Sequence, residues 1–135
     1  MSTIVAIRAA LETALLAMTP SIPTALENAA FSPPAASLPY QRAYLMPARP
    51  DNREYGALHR EQGLFQVTLC YPLQAGPGAA AARAELIRAT FYRGATFVNS
   101  GVTVVITETP EVLQGTPDGG SWAVPVRVPF ITNPV

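Results

Sequence analysis

Apolar and polar side chains alternate along residues 64–71, which have the sequence LFQVTLCY. This period of two is that of a β-strand with one buried face, because successive side chains of a strand point to opposite sides. The apolar face of the predicted strand consists of Phe65, Val67, Leu69 and Tyr71. The single cysteine, Cys70, falls on the other face, and we interpret it as a small buried side chain rather than a nucleophile.

The period changes to that of a helix after the turn Gly76-Pro77-Gly78. From Ala79 onward the apolar residues recur at helical spacing, and Gly94 suits the residue that follows a helix end. We therefore predict a helix that packs on the strand and places Leu86 and Phe91 in the core. The turn is only superficially similar to a phosphate-binding loop, because it lacks the Lys-Ser/Thr pair and the three-glycine spacing of nucleotide sites.

The rest of the pattern predicts one more helix and several more strands. The first helix runs to about Met18, with Arg8 and Glu12 paired on its flank. Further extended segments are predicted at 24–28, 40–46, 101–109 and 122–130. The order α-β-β-β-α-β-β indicates an α+β fold. We expect a single domain over residues 1–135, with a mainly antiparallel or mixed sheet of about four to five strands covered by two helices.

The last predicted strand contains two prolines, Pro125 and Pro129. Their backbone nitrogens point to the same lateral side of the strand, so both missing N–H donors fall on that side. A side without donors over this length indicates that it is unpaired, and prolines at an edge also discourage uncontrolled pairing with other chains. We therefore predict that this strand lies at an edge of the sheet.

Charge is concentrated in the loop 47–62, between two predicted strands. The loop contains three of the nine arginines, three of the nine acidic residues and the only histidine. Loops of this length without regular structure are commonly functional or disordered. We interpret it as a flexible hairpin loop that contacts a neighbouring subunit or another protein; the alternative is a solvated loop. The candidate interface residues are Arg49, Arg53, Glu54, His59 and Arg60.

Arg42 is a further candidate, because it falls on an otherwise aromatic and apolar face of the strand 40–46. Arginines that are buried or that lie at interfaces usually have an anionic partner. Within the chain that partner could be Glu27 or Glu108, and in an assembly it could be a group on a neighbouring subunit.

Composition excludes several classes of function. Charged residues make up 13% of the chain and the formal net charge is zero, so we expect no general attraction to nucleic acid or to a membrane surface. One cysteine and one histidine do not suffice for a protein-only zinc site, and no stretch is apolar enough to span a membrane. We expect a soluble intracellular protein that is not an enzyme and has no cofactor or metal.

The order of several motifs resembles the phage tail-terminator-like family of tail-completion proteins, over nearly the full length. These motifs are the first helix followed by TPSIPTALEN, the strand–helix joint QVTLCYPLQAGPGAA and the closing strand VPVRVPF. They are structural motifs, and the family has no catalytic residues to carry over. The resemblance implies a homo-oligomeric ring, typically a hexamer, that caps the tail tube, stops its polymerisation and provides a surface for joining to the head.

The resemblance also implies the partners: further copies of the chain, the tail tube protein and a head–tail connector protein. Assembly would take place in the cytoplasm of the bacterial host, and the product would belong to the virion tail. Two alternatives stay open. One is another head–tail joining or neck protein of similar size. The other is a small ligand-binding or enzymatic domain, which a pocket holding His59, Glu54 and Glu61 in one conformation would favour.

Overall fold

The structure, a computed structural model, describes residues 3–35 and 38–135. These residues form two helices, α1 at Thr3–Leu16 and α2 at Gly78–Thr90. The strands are β1 at Thr24–Leu26, β2 at Tyr40–Pro47, β3 at Gln62–Pro72, β4 at Thr96–Asn99, β5 at Val102–Ile106, β6 at Glu111–Val112, β7 at Thr116–Asp118 and β8 at Ser121–Thr132. The fold is α+β, as the order of helical and extended segments predicts.

All the strands belong to one curled, mixed sheet with the order β1-β2-β3-β8-β5-β4. The short strands β6 and β7 pair with β8 on the same side as β5, each with a different part of β8. Only β1 and β2 are parallel; the other pairs within the described residues are antiparallel.

The sheet has eight strands, more than the four to five that the sequence predicts. The strands β4, β6 and β7 were missed because they have only four, two and three residues. So few residues show no clear alternation, and these segments are strands because they pair with β5 or β8.

Both helices pack against one face of the sheet and enclose the core. Helix α1 contacts β4 and β5, whereas α2 contacts β3 and β8. The predicted alternation of β3 is confirmed, since Phe65, Val67 and Leu69 are fully buried on this face and Tyr71 is half-buried. Cys70 is buried on the other face, as expected for a small apolar side chain.

The flank of α1 is also as predicted. Arg8 Nη1 lies 3.4 Å from Glu12 Oε2, and the same nitrogen lies 3.1 Å from Glu27 Oε1. Glu27 follows β1, so this small network connects the helix to the end of the sheet at which β1 lies.

The core face of α2 differs from the prediction. Phe91 is fully buried, as predicted, but Leu86 is 38% exposed, so its assignment to the core is wrong. The buried side of α2 and the residue after it consists of Ala80, Arg83, Ala84, Ile87 and Phe91. Alanines on that side let the helix lie close to the sheet, and this orientation turns Leu86 toward solvent.

Strand β8 lies in the middle of the sheet, so the prediction of an edge is wrong. One side of β8 pairs with β3 from Ser121 to Ile131. On the other side, the carbonyl oxygens of Pro125 and Pro129 accept hydrogen bonds from Leu113 N at 2.9 Å and Thr107 N at 3.2 Å. The side of β8 that lacks the two proline donors is therefore not unpaired. It pairs with three short strands, β5, β6 and β7, instead of one long strand.

Candidate interaction site

The candidate site is the loop between β2 and β3, residues 48–61. The hairpin continues into this loop, because Ala48 N donates to Gln62 O at 2.8 Å. Further along, Asp51 and Arg60 exchange two backbone hydrogen bonds of 2.9 Å each. These contacts hold both ends of the loop together, and they leave residues 52–58 as the loop tip.

The end of the chain holds one side of the loop. His59 and Val135 exchange backbone hydrogen bonds, of 3.2 Å from His59 N to Val135 O and 2.8 Å in the reverse direction. Thr132 N donates to Glu61 O at 2.8 Å, and the Thr132 hydroxyl accepts from Glu61 N at 3.0 Å. Glu61 and Thr132 are 71 positions apart, so no local sequence pattern could have shown this contact.

Charged side chains of the loop pair with one another. Arg60 Nε donates to Glu54 Oε1 at 2.9 Å, and both side chains are about one-third exposed. Arg53 Nε lies 3.5 Å from Asp51 Oδ1, although the Arg53 side chain is 91% exposed. The loop therefore presents paired charges of both signs, and exposed ion pairs of this kind stabilise a fold only weakly.

His59 does not join Glu54 and Glu61 in one cluster. Its Nε2 lies 2.9 Å from Glu61 Oε1, whereas Glu54 pairs with Arg60. Within the described residues, no group of three His, Cys, Asp or Glu side chains is placed to hold a metal ion. Since the backbones of both His59 and Glu61 bond to the end of the chain, we interpret the His59–Glu61 pair as a structural contact.

The loop tip also has an apolar component. Tyr55 is 100% exposed and Leu58 is 52% exposed. Exposed aromatic and arginine side chains are enriched at the centres of protein interfaces. Tyr55 and Leu58 are not among the predicted interface residues, because two apolar residues in a charged loop have no periodic pattern.

Arg42 lies apart from the loop contacts, on the half-exposed face of β2. Its Nη2 donates to Asp118 Oδ2 at 2.7 Å, so its partner is Asp118 rather than Glu27 or Glu108. Burial favours the neutral guanidinium, but the hydrogen bond to Asp118 and the electrostatic attraction of Cys70, Tyr44 and Asp118 together raise the pKa of Arg42 above its ordinary value. The pair connects β2 to the β7–β8 hairpin.

Comparison with known proteins identifies the family. A family model described as phage tail terminator protein matches residues 6–130. The chain belongs to the phage tail terminator family. The resemblance carried by the sequence motifs is thereby confirmed, and the protein is a structural component of phage tails that interacts with other tail components.

One solved structure is similar to this tail terminator over almost the whole chain. Its TM-score is 0.76 at 30% sequence identity, and the match covers 98% of this chain and 96% of the other. The name of that protein is a sequence identifier, which indicates no function. No curated protein matches the chain. Neither described helix is long and apolar enough to cross a membrane.

Proposed function

We propose that the protein assembles into a homo-oligomeric ring, a hexamer as the family resemblance implies, which caps the tail tube and stops its polymerisation. The family match over residues 6–130 is the observation that carries this proposal. The other face of the ring provides the surface for a head–tail connector protein. Assembly takes place in the host cytoplasm, and the ring then remains in the virion tail.

We further propose that the loop 48–61 contacts a neighbouring subunit or the tail tube. The hydrogen bonds of Asp51, His59 and Arg60 hold the loop in place, which lowers the conformational entropy lost when its tip binds. Arg53 and Tyr55 at the tip are 91% and 100% exposed, and they are the best-suited anchors. Exposed ion pairs contribute only about 0–1 kcal/mol each, so several contacts must act together.

The experiment replaces Arg53, Glu54 and Arg60 together by alanine. We expect the fold to remain intact, while ring formation or capping of tail tubes is weakened. The matched control replaces Glu85 and Arg88 of α2 and Arg93, which follows α2, by alanine. This variant also loses two positive charges and one negative charge. Arg88 and Arg60 are equally exposed, with 38% of each side chain accessible. The measurements are the thermal midpoint, the native mass and the length of tubes assembled with the protein.

Normal capping by the loop variant would show that the contact lies elsewhere. A protein that forms rings but leaves tube length unchanged, and instead binds a connector ring, would be a head–tail joining or neck protein. A chain that stays monomeric both alone and with tail tubes would overturn the proposed ring.

A further inference from the structure

The main path of the sheet ends in β4 and β1, whereas the short strands β6 and β7, which pair only with β8, carry Glu111 and Pro117-Asp118 respectively. Within the described residues, each of these strands is hydrogen-bonded to only one neighbouring strand. Every second residue of such a strand points its N–H and C=O away from the sheet. Proteins commonly protect these edges with charges, prolines or bulges. Pro125 and Pro129 lie in β8, in the middle of the sheet, so they protect neither end.

Strand β4 has neither charged residues nor prolines, and the whole segment 94–107 is uncharged. Val98 of β4 is 67% exposed. Next to it, a groove of about 360 Å³ is lined by small α1 residues such as Ala14 and by β4 residues that include Phe97. An uncharged strand edge beside an uncharged groove is a surface to which another extended segment can add.

Strand β1 forms the opposite end of the sheet and is similar in character. Its three residues, Thr24–Leu26, are uncharged and half-buried. It pairs with β2 on one side, and the described residues provide no strand on its other side. The outer backbone groups of β1 and β4 are therefore both able to pair with a further strand, and neither strand carries a charge that would lose its hydration.

We infer that β4 of one copy pairs with β1 of the next copy, so that the sheet continues across the subunit interface. The inference rests on the ring proposed above and names the contact that builds it. Because two different edges meet, the contact is heterologous, and each added copy leaves one free edge of each kind until the ring closes. Pairing β4 with β4 would instead consume the β4 edges of two copies in a two-fold dimer.

Strands of three and four residues form few hydrogen bonds, so side chains of β4 contribute to this contact. Val98 is 67% exposed, and its burial would supply apolar stabilisation. The loop 48–61 connects β2 and β3, neither of which is a terminal strand. The edge contact therefore leaves the loop available to the tail tube.

Cross-linking of the assembled protein tests the contact. Val98→Cys and Ala25→Cys in one chain place a thiol on each edge, and Cys70→Ala removes the remaining thiol, which is buried. Paired strands lie about 5 Å apart, so a short bismaleimide can bridge the two edges. We expect a ladder of covalent oligomers up to the full subunit number in a denaturing gel, and no ladder from either single-cysteine variant.

Each other outcome of this experiment contradicts the inference. Covalent dimers of the Val98→Cys variant alone would show two-fold pairing of β4. Rings of normal mass without cross-links would place the interface elsewhere and leave the ring itself standing. If the unaltered protein forms no ring, with or without tail tubes, the ring proposal and the edge contact both fail.

A charge on the edge provides a second test. Val98→Arg should leave the thermal midpoint nearly unchanged, because the side chain is largely exposed, but should shift the native mass to that of the monomer. Leu86→Arg is the control, since Leu86 is an exposed apolar residue on α2, and it should assemble normally. Rings of full mass from Val98→Arg would contradict the edge pairing.

Discussion

Arg42 and Arg83 are both removed from solvent to some degree, but they differ in how fully their guanidinium groups are paired. Arg42 donates to Asp118 at 2.7 Å, and the resulting ion pair connects two distant parts of the sheet. Arg83 is only 3% exposed and donates one hydrogen bond, to the carbonyl of Pro20. Its Nε and Nη2 have no hydrogen-bond partner among the described residues, and burial lowers the pKa of its guanidinium below the ordinary value.

Replacing Arg83 tests whether its charge stabilises the fold. For Arg83→Met we expect a free energy of unfolding within about 1 kcal/mol of the original or above it, because an apolar side chain of similar length replaces an incompletely paired buried charge. Arg83→Ala should lower it by about 2 kcal/mol or more, because it leaves a cavity. Urea denaturation measures both. A large loss in Arg83→Met would show that the hydrogen bond to Pro20 dominates.

Helix α2 is docked through an aromatic cluster and two alanines. The ring centroids of Phe65 and Phe91 lie 5.9 Å apart, and those of Phe91 and Phe97 lie 5.3 Å apart. Phe91 thereby joins the end of α2 to β3 and β4. Ala80 and Ala84 are both 1% exposed and continue this contact along the helix.

Phe91 and Leu86, both predicted to be in the core, should differ sharply in the stability that each loses when replaced by alanine. Phe91→Ala should lower the free energy of unfolding by about 3–5 kcal/mol, because it removes a fully buried ring. Leu86→Ala should lower it by less than about 1 kcal/mol, because Leu86 is partly exposed. Chemical denaturation of both variants provides the comparison. Equal losses would mean that α2 is rotated about its axis and buries a different face.

On the scale of the whole molecule, the end of the chain joins the sheet to the loop. Residues 121–132 form the central strand β8, and the three residues after it reach the side of the loop. The bonds between His59 and Val135 hold that side. At the tip, by contrast, Tyr55 is fully exposed and Leu58 is 52% exposed. The base of the loop is therefore fixed by backbone hydrogen bonds, whereas its tip is exposed to solvent.

Amide hydrogen exchange should reveal these two parts. In the free chain we expect slow exchange at the amides of Asp51, His59 and Arg60, which are hydrogen-bonded, and fast exchange across the tip. Removal of residues 133–135 should speed exchange at His59 by about tenfold or more and leave Asp51 nearly unchanged. In rings bound to tail tubes the tip should become protected. A tip that exchanges equally fast in that assembly would contradict its role in binding.

The sequence alone is enough to predict the two helices, the longer strands and the family. Alternation of period two is enough to predict β3 and its buried face, because each side chain's direction follows from its position in the strand. The motifs at the first helix, at the strand–helix joint and in the last strand were sufficient to predict the family. Concentrated charge also marked the loop as a candidate site, but it did not indicate Tyr55 or the support from Val135.

Which elements become neighbours depends on contacts between distant parts of the chain, which no local pattern shows. The missing donors of Pro125 and Pro129 show which side of β8 is poorly suited to pairing, but short strands that offer donors to the proline carbonyls can still pair there. Likewise, Arg42 and Asp118 are 76 positions apart, so no local spacing could reveal their ion pair. A periodic pattern records the direction of each side chain along its own element, whereas strand order and ion-pair partners depend on contacts between elements distant in sequence.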